Sequence, residues 1–279
     1  MTAIQNLVPH VQVPAVRFRV FSSRAIRTAG IHAGSFAAVI LLWYAAASAY
    51  GTEMLFPGPE TTWTALLQRL KDGSLLESSA ASLSRILAGF IMGSVLGIAL
   101  GLLAGASRIV DGMISPFITF FRFVPPLAWF APMLVWFGTG DASKIVLIMY
   151  TSVFVVAVNT LAGVHQIPLN LRRMAAAAGA NAYMKMFWIM LPASVPFIVA
   201  GMRVAMGNAF MTVVSAEMLG ASEGLGVMIN NSMTSTNVPN VFVSIICLGL
   251  LGLIFDRLFV LAINTLGKRF RSGSSDAIA

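Results

Sequence analysis

The chain has 279 residues, 58% of them hydrophobic and only 10% charged, with a net charge of +8 and a mean hydropathy of +0.85. Soluble domains carry about 25% charged residues, so this composition excludes one and points to an integral membrane protein. In such a chain the positive excess reports cytoplasmic loops beside anionic lipid rather than nucleic acid, and the single Cys247 excludes an intrachain disulfide.

Residues 1–30, with Arg17, Arg19, Arg24 and Arg27, read as a basic cytoplasmic segment. The apolar run that follows is too long for a signal sequence and lacks a convincing cleavage site. A membrane span needs about 20 mostly apolar residues, and 31–50, 85–106, 113–137, 143–163, 194–216 and 241–264 qualify. The expectation is an all-α integral membrane protein with about six transmembrane helices, its membrane domain at 31–266 and a cytoplasmic tail at 267–279. Six spans put both termini on one side. Arg108, Arg172, Arg173, Lys185, Lys268, Arg269 and Arg271 fall on that side with the N-terminal arginines, which makes it the cytoplasmic one. The opposite loops take Arg69, Lys71 and Lys144 and most of the acids: Glu53, Glu60, Asp72, Glu77, Asp141, Glu217 and Glu223.

Between the first two spans, a Pro-Gly-Pro turn leads into a predicted amphipathic helix at 62–71, capped by Thr61. In the second span Gly89, Gly93, Gly97, Gly101 and Gly105 recur every four residues. That stripe is either tight helix packing or a surface on which helices slide. Next comes "FRFVPPLAWFAPMLVWFG", 120–137, where Pro125, Pro126 and Pro132 remove backbone donors, so the span must kink or break. Its Arg122 either snorkels to the interface or serves function, as charge within a span commonly does.

The stretch 165–192 departs from the membrane pattern. Pro168 suits a first helical turn, "LNLRRMAAAA" favours helix, and Gly179 supplies a left-handed cap. Asn181 caps a second helix that is predicted to stop at Pro192. Each helix has about ten residues, half of what a bilayer requires. Tyr183, Met184, Phe187 and Leu191 share one apolar face. By itself this could be an amphipathic turn in the headgroups.

Beyond it, Arg203 lies about 13 Å into the fifth span, near Gly207, Asn208, Thr212 and Ser215. A buried charge there is costly. It reads as a structural ion pair, with Asp256 the obvious partner, or as part of a polar pathway. No phosphate-binding loop, zinc motif, metal-spaced Cys/His cluster or nucleophile elbow occurs; His10, His32 and His165 lie far apart. No catalytic or metal-binding residue is therefore expected.

The spacing in 173–192 resembles the EAA loop of ABC importer permeases: Glu-Ala-Ala, three residues, Gly, nine residues, Ile, one residue, Leu-Pro. Ala175, Gly179, Ile189, Leu191 and Pro192 fill their slots, while Arg173 stands in the place of Glu and Met174 in the place of Ala. The resemblance runs from about 56 to 270, through "LFPGPE", "SLSRILAGF", "PPLAWFAPMLVWFGTGDASK", "LPASVPFIVAGMRVAMG" and "SAEMLGASEGLGVMI". It is to the branch serving nitrate, taurine, alkanesulfonates and bicarbonate, with "WFGTG" more like the sulfonate and taurine side. The same branch also serves importers of uncharged solutes.

The resemblance implies a multi-pass bacterial inner-membrane protein and a homodimer. It implies two cytoplasmic ATPase subunits holding ATP and magnesium, so that this chain has no cofactor and is no enzyme, and an extracytoplasmic solute-binding protein. It makes 165–192 the coupling loop, with Arg172, Arg173, Ala175, Gly179, Ala180, Tyr183, Met184 and Phe187 as candidate contacts to the ATPase. The candidate pathway residues are Arg122, Pro125, Pro126, Arg203, Asn208, Thr212 and Glu217. The reading from another class is a self-sufficient secondary transporter or channel, which an internal inverted repeat would favour; none is found.

Overall fold

The computed structural model describes residues 23–266, and every regular element among them is helical. The expected basic segment is thus described only from Ser23, and the tail 267–279 lies outside the described residues. The chain forms two compact units, 1–51 and 52–279. The first holds α1 (Ser23–Tyr50), whose apolar segment Gly34–Tyr50 covers most of the first expected span.

The second unit begins with α2 (Pro59–Lys71). Pro59 occupies the first helical turn after Gly58, so Thr61 is not the cap. Its hydroxyl instead donates back to the Gly58 carbonyl at 3.1 Å. α3 (Ser74–Ala106) starts eleven residues before the apolar stretch that marked its span. "SLLESSAASLS" is too polar to register as hydrocarbon-facing, yet it continues the same helix. Asp72 precedes it, and its carboxyl sits below the ordinary carboxylate range because the Ser74 hydroxyl and amide donate to it.

α3 lies alongside α6 (Asp141–His165), both running in the same direction. The glycine stripe is the reason they meet so closely. A Cβ on Gly89 would lie 2.6 Å from Ile148 Cβ, on Gly93 2.6 Å from the Met149 carbonyl, on Gly97 2.6 Å from that of Val153, and on Gly101 2.6 Å from Thr160 Cβ. The stripe is a packed seam. α9 (Leu191–Gly220) returns antiparallel against them, and Ile86, Phe90, Ile148, Val156, Ala205, Met206, Ala209, Phe210 and Val213 form the main core.

Between α3 and α6 the chain breaks as the prolines require. α4 (Arg108–Phe123) ends before Val124, Pro126–Trp129 form a single tight turn, and α5 (Phe130–Phe137) leaves at 94° to it. A broken helix leaves carbonyls without partners. Tyr150 of α6 serves one, its hydroxyl donating to the Phe121 carbonyl at 2.6 Å.

After α7 (Leu169–Ala177) and the single turn α8 (Ala182–Met184), a wide π-turn at Lys185–Met190 leads straight into α9. Ala182–Gly220 is thus one 39-residue helix, and it does not stop at Pro192. The correction has a physical cause. Proline blocks a helix through its missing N–H and a clash with the carbonyl four residues back; a widened turn immediately before it relieves both. Pro192 becomes a first-turn residue of α9 instead.

α10 (Leu225–Thr234) and α11 (Val238–Leu266) complete the unit. α3, α6, Ala182–Gly220 and α11 are each long and apolar enough to cross a membrane, and the bent pair α4–α5 makes a fifth crossing if counted as one.

Candidate functional site

Three arginines inside helices meet three different surroundings. Arg85, at the start of the fourth turn of α3, is 3% exposed. Its Nε donates to Asp141 Oδ1 at 2.7 Å, and its Nη1 to Glu217 Oε1 and the Glu223 carbonyl, both at 2.7 Å. The other oxygen of Glu217 accepts from Ser82 Oγ at 2.8 Å and from the Gly226 amide at 2.9 Å. Ser82 Oγ in turn accepts the Leu225 amide at 2.8 Å. Beside them the buried Lys144 donates to the carbonyls of Thr139, Gly140 and Gly220.

This cluster ties α3, the start of α6, the end of α9 and the α9–α10 connection together. Two cations and two carboxylates cancel in charge, and the buried ones are hydrogen-bonded, which is what burying charge requires. Two expectations are corrected here. The charge pattern places Lys144 and Glu217 in outer loops, outside the hydrocarbon, whereas both lie in helices and are buried. Glu217 also does not line the cavity around Arg122 described below; it is the counter-ion of Arg85. Arg85 and Ser82 carry no signal in the sequence beyond an arginine in an apolar helix.

Arg203 is held by Asp256 of α11 through two bonds, Nε–Oδ1 at 2.6 Å and Nη2–Oδ2 at 2.7 Å. Of the two readings of Arg203, the ion pair is the one formed. Its side chain remains 56% exposed, and it does not line the pocket around Arg122.

Arg122, at the end of α4, differs from both. No carboxylate among the described residues pairs with it; its guanidinium lies 4.9 Å from the centre of the Phe123 ring. It lines a cavity of about 300 Å³ with Pro126, Tyr150, Thr151, Phe154, Asn208, Thr212 and others. Four of the expected pathway residues therefore meet: Arg122, Pro126, Asn208 and Thr212. Pro125 lies at the break but does not line the cavity. The aromatic wall, Phe121 stacked on Phe154 with centroids 5.6 Å apart and Tyr150 edge-on to Phe154 at 5.1 Å, was not expected from sequence. Phe121 stands 29 residues before Tyr150 and 33 before Phe154, and the three look like ordinary span residues until the break at Val124 brings them together.

At the other end, the 165–192 stretch folds as its residues dictate. Gly179 has φ +75°, and the Ala180 amide reaches back to the Ala175 carbonyl at 3.0 Å. This closes α7 with a left-handed turn. Asn181 caps the next helix, its Oδ1 accepting from the Met184 amide at 2.8 Å. Arg172 and Arg173 lie in α7, and Arg173 is exposed.

Tyr183, Met184 and Phe187 present an exposed apolar face, the two rings 4.6 Å apart. Ala180 is half-buried, and Ala175 is buried, so Ala175 packs inward rather than facing a partner. Trp188, 76% exposed and one turn beyond Met184, extends the face and was missed. Its spacing was the available signal.

Comparison with known proteins matches residues 93–271 to the family described as binding-protein-dependent transport system inner membrane components. An ABC transporter permease of Brucella melitensis is 37% identical over 82% of this chain and 92% of its own length. The taurine transport system permease protein of Escherichia coli is 34% identical over 71% and 74% respectively. The nitrate import permease protein of Synechocystis is 29% identical over 85% and 88%. Among solved structures, the chain is similar to the MetNI methionine ABC transporter in an inward-facing conformation. The TM-score is 0.57 at 21% identity, covering 68% of this chain and 93% of that one.

Proposed function

Since the chain belongs to the family of binding-protein-dependent transport system inner membrane components, and is a permease subunit of an ABC importer, we propose that it carries a small anion inward and is driven through its 165–192 loop. The relatives that share its length are named for taurine, nitrate and bicarbonate, and a sulfonate-, nitrate- or bicarbonate-like solute is the corresponding cargo here. Two copies of the chain form the pathway. Two cytoplasmic ATPase subunits hold ATP and magnesium, and a solute-binding protein delivers cargo from outside. Both termini are cytoplasmic in this arrangement, in line with the positive charge of residues 1–30 and 267–279.

The observation that carries the reading is the loop itself. Its apolar face of Tyr183, Met184, Phe187 and Trp188 is exposed, and the helix bearing that face is continuous with α9. An ATPase docked there pulls directly on a helix that lines the pocket at Asn208, Met211 and Thr212. Membership in a binding-protein-dependent family replaces the alternative of a self-sufficient secondary transporter or channel.

The test is reconstitution. Uptake of radiolabelled taurine or nitrate into liposomes is expected only with the partner ATPase, the binding protein and ATP. Gradient-driven uptake by the chain alone would overturn the reading.

A further inference from the structure

We infer that the cavity around Arg122 is a solute-binding site in the permease itself, built for an organic anion: an oxyanion head with a compact apolar body, not a bare inorganic anion. The inference rests on the importer reading above and adds to it where the solute is held and what shape it has.

The head is specified by what has no partner. Among the described residues no carboxylate pairs with Arg122, and neither the side-chain amide of Asn208 nor the hydroxyl of Thr212 has a hydrogen-bonding partner. All three line the same space, and Thr212 is only 8% exposed. A guanidinium offers five N–H donors, an amide two and a hydroxyl one. Arg122 is exposed and Asn208 half-buried, so these donors stand open to the space they line rather than sealed from it. A planar fork beside an amide and a hydroxyl matches an oxyanion, which Arg binds through paired hydrogen bonds. Thr151 contributes nothing to the head, since its hydroxyl is turned back to the Ile148 carbonyl at 2.8 Å.

The body is specified by the remaining wall. Phe121, Tyr150, Phe154, Val155 and Met211 supply the apolar part of the same lining. Tyr150 is locked there because its hydroxyl is used by the Phe121 carbonyl, so its ring rather than its oxygen faces the site. A volume of about 300 Å³ lies at the floor of the range for small-molecule pockets, about 300–1,000 Å³. A four-atom inorganic anion would satisfy the donors and leave the aromatic wall wet. A short alkyl or aryl group on the anion covers it. The geometry thus favours sulfonates or carboxylates with a few carbons over nitrate or bicarbonate.

The experiment uses the full chain in nanodiscs without any binding protein, so that selection by another subunit cannot intervene. Pentane-1-sulfonate, taurine, nitrate and bicarbonate are titrated in turn, with binding read by calorimetry and by tryptophan fluorescence. Pentane-1-sulfonate is expected to bind at least tenfold more tightly than nitrate or bicarbonate. Phe154→Leu, chosen to keep the fold, should reduce the preference for pentane-1-sulfonate over nitrate at least fivefold. Arg122→Gln should weaken every anion. Equal binding of nitrate and pentane-1-sulfonate, or a preference unchanged in Phe154→Leu, overturns the assignment.

A second arm separates this from the importer reading. If ATP-driven uptake in the complete reconstituted system is unaffected by Arg122→Gln and Phe154→Leu, the pocket assignment falls and the importer stands. If the complete system takes up no anion at all, the proposed cargo falls as well.

Discussion

The cluster around Arg85 and the cavity around Arg122 use the same side chain in opposite ways. At Arg85 the guanidinium is buried and its donors are spent on Asp141, Glu217 and a backbone carbonyl. At Arg122 no carboxylate among the described residues pairs with it, and the neighbouring side-chain amide and hydroxyl have no partner among them either. One arrangement is closed because the guanidinium is buried and its charge is already met by carboxylates. The other leaves its donors for a guest. A charge within a membrane span is thus ambiguous by itself, and its partners decide whether it holds the fold or meets a solute.

The sharpest way to break that contrast is to remove one partner of the closed cluster. Glu217→Ala leaves the Arg85 charge half-compensated, and such losses cost about 3–5 kcal/mol. Far less folded protein and a strongly lowered melting temperature are expected by size exclusion and thermal denaturation in detergent. Removing both charges with apolar residues, Arg85→Met with Glu217→Leu, should recover much of that loss. A Glu217→Ala protein as stable as the parent would show that the cluster is not structural.

An intermediate case lies at Arg203, paired in two places yet exposed. Arg203→Ala should lower folded yield, though less than Glu217→Ala, and adding Asp256→Ala should restore it. If the double variant is as poor as the single one, pairing is not what matters there.

Gly179→Val acts outside both regions. Nothing lies within 4 Å of a Cβ at Gly179, so the substitution meets no clash and only the left-handed backbone resists it, at about 1–2 kcal/mol. The membrane domain should remain folded while ATPase co-purification falls. Normal co-purification together with normal uptake per ATP hydrolysed would remove the loop from the coupling role.

Smallest of all in stability is Arg122→Gln, which disturbs no ion pair and should stay within about 0.5 kcal/mol of the parent. Its effect should appear in anion uptake alone. A destabilised Arg122→Gln protein would erase the difference between the two regions.

How much of this was legible in the sequence follows from which interactions are local. The break at Pro125–Pro126, the Gly179 turn and the Asn181 cap depend on residues a few positions apart, and they form as the sequence implies. The glycine stripe was visible too, although its meaning came only with α6 laid against it. The Arg85–Glu217 pair joins residues 132 apart, and no periodicity announces it. Charge bias misplaced Lys144 and Glu217 because it assumes that charge sits outside the hydrocarbon. Pro192 looks like a helix stop in the sequence because a π-turn that admits it carries no sequence mark. The cavity was half visible: its polar residues stood out by type, whereas its aromatic wall exists only after the chain folds.

That π-turn has a mechanical consequence. Because Ala182–Gly220 is one uninterrupted rod, its length at 1.5 Å per residue is about 58 Å. Were its far end unheld, a tilt of about 5° imposed at Ala182 would swing Gly220 by about 5 Å, roughly one helical pitch. Gly220 supplies one of the carbonyls that grip Lys144, and Glu217 lies one turn before it. The far end of the rod is therefore clamped by the closed ionic cluster while the near end is free to be pushed. A beam held at one end and loaded at the other bends most next to the hold, and Asn208 and Thr212 lie nine and five residues before Glu217.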